Sequence, residues 1–129
     1  MLSWPKEVIA MLHDKEKRQR PRARVSWQVT IKSSQGDLSG ETLNVTVDGA
    51  LVLCREPLEP NDTIEMVMNV PALVSPLIIP ARVIHSNICN PEDETLCYEI
   101  GVRFTEISEK NRWLISAAVQ RESGVMLMP

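Results

Sequence analysis

The feature that most constrains the fold is a hydrophobic pattern of period two that runs from residue 25 to residue 104. Apolar and polar side chains alternate in short segments, as they do in strands that bury one face. Six such segments follow one another, separated by short turn-forming stretches without helical pattern. This arrangement is typical of an antiparallel sheet or barrel and argues against alternating strands and helices. The sequence therefore predicts an all-β fold with six antiparallel strands.

The same alternation predicts which side chains enter the core. In the second segment Leu43, Val45 and Val47 are predicted to point inward. Asn44 and Thr46 alternate with them and are predicted to form a polar pair on the outer surface. The six predicted strands lie within residues 25–31, 42–47, 50–54, 63–70, 77–87 and 95–104.

Two residues predict local departures from regular strand geometry. Pro80 interrupts the fifth segment, which suggests an edge strand or a bulge at that point. Gly49 follows Asp48 before an apolar run, where glycine permits a tight turn with positive φ and a close backbone approach.

Helical patterns flank the strands. Residues 1–16 are predicted to form an amphipathic leader helix, with Trp4 and Leu12 on one face. A second helix is predicted after residue 104, with Thr105 as its N-cap. Its predicted apolar stripe comprises Ile107, Trp113, Leu114, Ala117 and Ala118. The predicted organisation is a leader helix at 1–16, a basic arm at 17–24, a β-barrel with its C-terminal helix at 25–121, and an apolar tail at 122–129.

The basic arm, KRQRPRAR, concentrates positive charge in an acidic chain. The protein has 129 residues, 14 Lys and Arg against 17 Asp and Glu, and a net charge of −3. Five of the 14 cations lie in residues 17–24, which leaves nine for the rest of the chain. A long polyanion would therefore meet mostly acid, whereas a small anion fits within about 8 to 10 Å of the arm, where charges are not screened. Pro21 also favours an extended arm.

Motifs for catalysis and metal binding are absent from the sequence. No Ser-His-Asp, HExxH, P-loop or GxGxxG pattern occurs, and His13 and His85 are the only histidines. The three cysteines, Cys54, Cys89 and Cys97, form no CxxC pair, so neither a disulfide framework nor a zinc site is indicated. We expect no enzyme activity, no catalytic residues and no metal. No signal peptide or membrane span is recognisable, so a cytoplasmic protein is expected.

Three motifs together resemble the PilZ domain, the bacterial receptor module for cyclic di-GMP. Arg18 to Arg22 fits RxxxR, and Asn44 to Gly49 fits [D/N]xSxxG with threonine in place of serine. IGVRF, at residues 100–104, resembles the closing strand of the same family. The resemblance covers about residues 16 to 121, and each motif alone is weak.

The resemblance implies a six-stranded barrel of PilZ type that binds cyclic di-GMP as its ligand, with no cofactor. Arg18 and Arg22 would clamp phosphate and guanine, because the guanidinium fork fits both groups. Asn44 and Thr46 would bond the ligand from the barrel face. Gly49 would shape the turn, with Arg20 and Arg24 as assisting cations.

With no output domain recognisable in the chain, the resemblance implies signalling to an unidentified effector protein in the control of motility, adhesion or exopolysaccharide. The protein would be a monomer or a homodimer. Two alternatives stay open. One is a PilZ-like adaptor that binds no ligand and acts by protein contact alone. The other is single-stranded nucleic acid binding, which the few aromatic residues disfavour.

Overall fold

The six strands form one closed antiparallel barrel. The computed structural model describes residues 25–89 and 97–123. The strand order is β1-β2-β3-β6-β5-β4, and pairing of β1 with β4 closes the barrel. This confirms the predicted all-β barrel and decides between sheet and barrel. The elements are β1 Gln28–Ser33, β2 Gly36–Val45, β3 Gly49–Cys54, β4 Thr63–Asn69, β5 Leu77–Ile88, β6 Tyr98–Phe104 and one helix, α1 Glu109–Ser123.

Inward side chains from every strand fill the barrel. β4 shows the principle, because Ile64, Met66 and Met68 are buried while their neighbours Thr63 and Glu65 are exposed. Close packing of such residues removes apolar surface from water, which is the main favourable term in folding. The alternation predicted for this strand is therefore confirmed.

The chain enters the barrel alongside β2. Trp27 is buried, as the alternation predicts. β1 itself begins at Gln28, because Thr42 interrupts the backbone ladder there. The Thr42 hydroxyl accepts from the Trp27 N–H at 2.8 Å and donates to the Val25 carbonyl at 2.7 Å. A buried side chain thus replaces backbone partners, which satisfies polar groups that would otherwise be costly to bury.

Pro80 lies in regular β5, so the predicted edge or bulge at this residue is wrong. It pairs with Glu65 of β4, and β5 is paired on both sides. The Pro80 carbonyl accepts from the Thr105 N–H at 3.0 Å. Its nitrogen therefore faces the side on which β6 has ended at Phe104, where no ladder bond is lost.

Helix α1 packs on the barrel. Ile107, Leu114 and Ala118 of the predicted apolar stripe pack against the core as expected, whereas the predicted cap and the predicted inward position of Trp113 are wrong. Ser108, not Thr105, is the N-cap, since its hydroxyl accepts from the Asn111 N–H at 3.0 Å. Ile115 enters the core, whereas Trp113 is 68% exposed. Residues two positions apart in an α-helix are rotated by about 200°, so the side chains of Trp113 and Ile115 lie on opposite faces.

Three predicted segments fall outside the described residues. They are the leader helix at 1–16, the basic arm at 17–24 and most of the apolar tail, from residue 124 onward. Within the described residues, no helix is long and apolar enough to cross a membrane.

Candidate functional site

A β-bulge in β2 sets the orientation of the predicted site residues. Thr42 pairs with β3 before the bulge and Asn44 pairs with Leu51 after it, so Leu43 is an extra residue. Val45 points into the core as predicted. Leu43 does not: it packs on the outside of the barrel, because the bulge shifts the alternation by one residue.

Asn44 lies on the outer face of β2, as predicted, but it is only 5% exposed. Its cross-strand neighbour Leu51 faces outward as well, since the flanking Val52 is in the barrel core. The amide is therefore held beside apolar side chains rather than in open solvent. A buried amide of this kind has a strong requirement for hydrogen-bonding partners.

Thr46 and Gly49 form the turn between β2 and β3. The Thr46 N–H donates to the Gly49 carbonyl at 2.9 Å, and the Thr46 hydroxyl accepts from the Asp48 N–H at 3.1 Å. The same hydroxyl lies 3.5 Å from the Gly49 carbonyl, which is long for an O–H donor. Its hydrogen thus remains available for a better acceptor.

Gly49 is required by close packing. A Cβ atom at this position would overlap the carbonyl oxygen of Val102 in β6. The predicted close approach is thereby confirmed. The predicted positive φ is wrong, since Gly36 is the only glycine among the described residues with positive φ.

Two rows of cross-strand neighbours extend from this turn over the outer face of the barrel. We define the motif row as Asn44, Leu51, Gly101 and His85, which are successive partners across β2, β3, β6 and β5. We define the turn row as Gly49, Arg103 and Arg82, which are successive partners across β3, β6 and β5. Rows on one face of a sheet are two residues apart, about 7 Å.

The motif row ends at His85, whose position near the site is not predicted from the sequence. The His85 ring covers Gly101, because a Cβ atom there would overlap it. A second bulge, between Val83 and His85, brings this side chain to the outer face. His85 Nε2 lies 3.8 Å from the Glu99 carboxylate. Only the β5–β6 register reveals this neighbourhood, since the residues are far apart in sequence.

A second cluster of buried side chains covers the outside of β3. We call it the outer cluster; it comprises Leu43, Leu51, Leu53, Cys89 and Cys97.

The two cysteines of the outer cluster are joined by a disulfide, with 5.4 Å between their Cα atoms. The sequence does not predict this single bond, because three cysteines without CxxC spacing indicate no full disulfide framework. The Cys89 N–H donates to the Cys97 carbonyl at 2.9 Å, which continues the β5–β6 pairing and brings the two side chains together.

The sulfur of Cys89 is bound to Cys97 and is therefore not a free thiol. Among the described residues, no group of three or more metal-ligating side chains occurs. The third cysteine, Cys54, is buried in the barrel as a free thiol. Burial, with a smaller contribution from Glu56, raises its pKa to about 12.

Glu41 links the entry of the chain to the outer face of β2. One of its carboxylate oxygens accepts from the Ser26 hydroxyl, and the other is buried with no hydrogen-bond partner in the described part of the chain. Ser26 lies two residues after the basic arm.

The structure thus brings Asn44, Thr46 and Gly49 together at one end of β2. The predicted arginines, Arg18, Arg20 and Arg22, lie outside the described residues. The described site offers an amide, a hydroxyl and two guanidinium groups over an apolar floor. Such groups suit a ligand with both anionic and planar parts.

Comparison with known proteins places the chain in one family. The family model of the PilZ domain matches residues 16–121. No curated protein sequence matches the chain.

Several solved structures share the fold at low sequence identity. The PilZ domain with c-di-GMP of YcgR from Escherichia coli has a TM-score of 0.66 at 12% identity, over 81% of this chain and 91% of that one. The Bacillus subtilis inhibitor of motility, MotI/DgrA, has a TM-score of 0.64 at 15% identity, over 84% of this chain and 54% of that one. PlzA from Borreliella burgdorferi in complex with c-di-GMP has a TM-score of 0.57 at 6% identity, over 93% of this chain and 58% of that one.

Proposed function

Because the chain belongs to the PilZ domain family, we propose that it is a receptor for cyclic di-GMP. This ligand is named in the structures of the YcgR domain and of PlzA. The observation that carries the proposal is the entry of the chain into the barrel. The Val25 N–H donates to the Leu43 carbonyl at 3.2 Å, so the segment that follows the basic arm is fixed beside Asn44.

This anchor limits how far the arm can be from the site. Arg22 is three residues before Val25, so its Cα atom is within about 11 Å of the anchor. An arginine side chain adds several ångströms of reach. Arg22 is thus able to contact a ligand that lies against Asn44 and Thr46. Arg18 is four residues farther from the anchor along the chain.

The chemistry of the ligand matches these groups. Cyclic di-GMP has two phosphates and two guanines, and arginine binds phosphate or the O6/N7 edge of guanine with two parallel hydrogen bonds. We assign Arg18 and Arg22 to this clamp, with Arg20 as an assisting cation. Asn44 offers a donor and an acceptor, and Thr46 offers the hydroxyl hydrogen that lacks a good acceptor in the turn.

Thr46 replaces the serine of the family motif and keeps its hydroxyl. Its Oγ1 atom is already oriented by the Asp48 N–H. The extra methyl restricts χ1, so the hydroxyl is fixed in fewer orientations than in serine. We expect this substitution to change the affinity for the ligand and not its identity.

Signalling would follow from ordering of the arm against the barrel. A ligand shifts a conformational equilibrium by as much as its affinities for the two states differ. Contacts between arm, ligand and barrel exist only when the arm lies on the outer face, so binding favours that state and changes the surface presented to an effector protein. Control of motility, adhesion or exopolysaccharide by that effector is part of the proposal.

Calorimetry with cyclic di-GMP tests the clamp. We expect Arg22→Ala to weaken binding at least tenfold, because a charge-assisted hydrogen bond to phosphate is lost. Arg112→Ala is the matched control, since Arg112 is an exposed arginine on α1. Equal affinities for wild type and Arg22→Ala would exclude the clamp. No binding by the wild type would favour an adaptor that acts by protein contact alone.

A further inference from the structure

Two arginines of the barrel wall face each other in the turn row. Arg82 of β5 and Arg103 of β6 are direct cross-strand partners, and both are exposed. Directly opposed residues in an antiparallel pair have Cβ atoms about 4.5 to 5.5 Å apart. Like charges in this position repel each other and destabilise the pair of strands. The arrangement therefore has a stability cost unless an anion lies between them.

No acidic side chain of the described residues forms an ion pair with Arg82 or Arg103. Neither guanidinium has an ion pair or a side-chain hydrogen bond within residues 25–89 and 97–123. Arg82 is paired on its other side with Thr63 of β4, which is uncharged. The two guanidinium groups thus present up to ten N–H donors in total to the solvent on one patch of the wall.

The position of the pair relates it to the candidate site. Arg103 is the cross-strand partner of Gly49, the last residue of the motif that begins with Asn44. Adjacent strands are about 4.8 Å apart, so Arg103 and Arg82 lie roughly 5 and 10 Å from the turn along the same row. The bulge between Val83 and His85 directly follows Arg82 in β5.

We propose that Arg82 and Arg103 form a second anion-binding point, which takes one phosphate of the cyclic dinucleotide while the arginines of the arm take the other. The inference rests on the proposed function. The guanidinium forks bind the phosphate oxygens from the barrel wall, and the bound anion removes the repulsion between the two strands.

This role has a thermodynamic signature that a structural role does not have. Removing one of two repelling charges relieves strain in the unliganded barrel, while it deletes a contact to the ligand. Arg82→Gln and Arg103→Gln are therefore expected to unfold at the same or a higher temperature than wild type without ligand, yet to bind cyclic di-GMP at least fivefold more weakly. Residues that merely support the fold would lower both quantities.

Calorimetry and thermal unfolding of the full chain test the proposal, with cyclic di-GMP as the probe. The variants are Arg82→Gln, Arg103→Gln, the double variant and the charge-matched control Arg112→Gln on α1. We expect the control to bind like wild type and the double variant to bind most weakly. Raising the salt concentration should weaken wild-type binding more than binding by the double variant, because fewer charge contacts remain to be screened.

The possible results separate this inference from the proposed function. Wild-type affinity in the double variant overturns the second anion-binding point and leaves the receptor function intact. Weaker binding together with a lower unfolding temperature also overturns it, since that combination indicates a structural role. Absence of binding by wild type overturns both proposals.

Discussion

Strands β3 and β4 belong to the same barrel and are paired on both sides, yet they are buried differently. In β4, buried residues alternate with residues that reach solvent. In β3, every residue after Gly49 is buried, because the outward side chains Leu51 and Leu53 pack within the outer cluster. A strand of a small barrel is buried on both faces only when further side chains pack against its outer face. Here that strand is the one beside the candidate site.

The greater burial outside β3 also explains why polar groups near this strand are costly to leave without hydrogen-bonding partners. Asn44 is buried on the outer face, next to apolar side chains. Polar residues outside β4 are in contact with water and have no such requirement. A buried polar group such as Asn44 of β2 therefore requires hydrogen-bonding partners, whereas water satisfies the polar groups outside β4.

Among the variants that test this difference between β3 and β4, truncation of Leu53 is expected to change the free energy of unfolding most. Leu53 is fully buried although it points away from the barrel core. We expect Leu53→Ala to lower the free energy of unfolding by about 3 kcal/mol, as for a residue inside a core. The matched change outside β4, Glu65→Ala, should alter it by less than about 0.5 kcal/mol. Urea unfolding measures both, and similar small changes would show that β3 is not covered.

Reduction of the Cys89–Cys97 disulfide is the next largest change. The bond closes a short loop, with a sequence separation of 8. Loop-closure entropy predicts a loss of roughly 2 to 3 kcal/mol in the free energy of unfolding. Urea unfolding with and without a phosphine reductant gives the difference. The Cys89→Ala/Cys97→Ala variant, which has no disulfide, serves as the control and should not respond to the reductant.

Substitution of Thr42 tests how the entry segment is held beside β2. Thr42→Val keeps the shape of the side chain but leaves the Trp27 N–H and the Val25 carbonyl without their partner. Unpaired buried groups of this kind predict a loss of about 2 kcal/mol. Thr42→Ser keeps the hydroxyl and should lose less. If Thr42→Val were as stable as the wild-type protein, the entry segment would not depend on the Thr42 hydroxyl.

The smallest expected effect is at the start of α1. Ser108→Ala removes the N-cap and should lower the free energy of unfolding by about 1 kcal/mol. Thr105→Ala should have little effect, because Thr105 is not the cap. Thermal unfolding distinguishes the two variants, and the affinity for cyclic di-GMP should be unchanged in both. A larger loss in Thr105→Ala would contradict the assignment of the cap.

The sequence predicts those parts of the fold that depend on local alternation. Trp27, Ile64 and Val45 point inward as expected, because each lies in a regular stretch of period two. The number of strands and their antiparallel pairing follow from the same pattern and from the short turns. The motif residues Asn44 to Gly49 are likewise found together, since they are close in sequence.

The features that the sequence does not predict depend on pairing between distant segments. Leu43 points outward because a bulge against β3 inserts one residue, and alternation within β2 alone contains no sign of it. Cys89 meets Cys97, and Arg82 meets Arg103, only because of the β5–β6 register. Tertiary contacts of this kind override a local pattern, as Trp113 on the exposed face of α1 also shows.

Closure of the barrel restricts how any other protein is able to recognise this domain. Each of the six strands is hydrogen-bonded to two neighbours, so the sheet has no free edge among the described residues. Many partners bind by adding a strand to such an edge, and that mode is closed here. Recognition of the barrel has to use side chains or loops, and under the proposed function some of these groups are covered by the bound nucleotide.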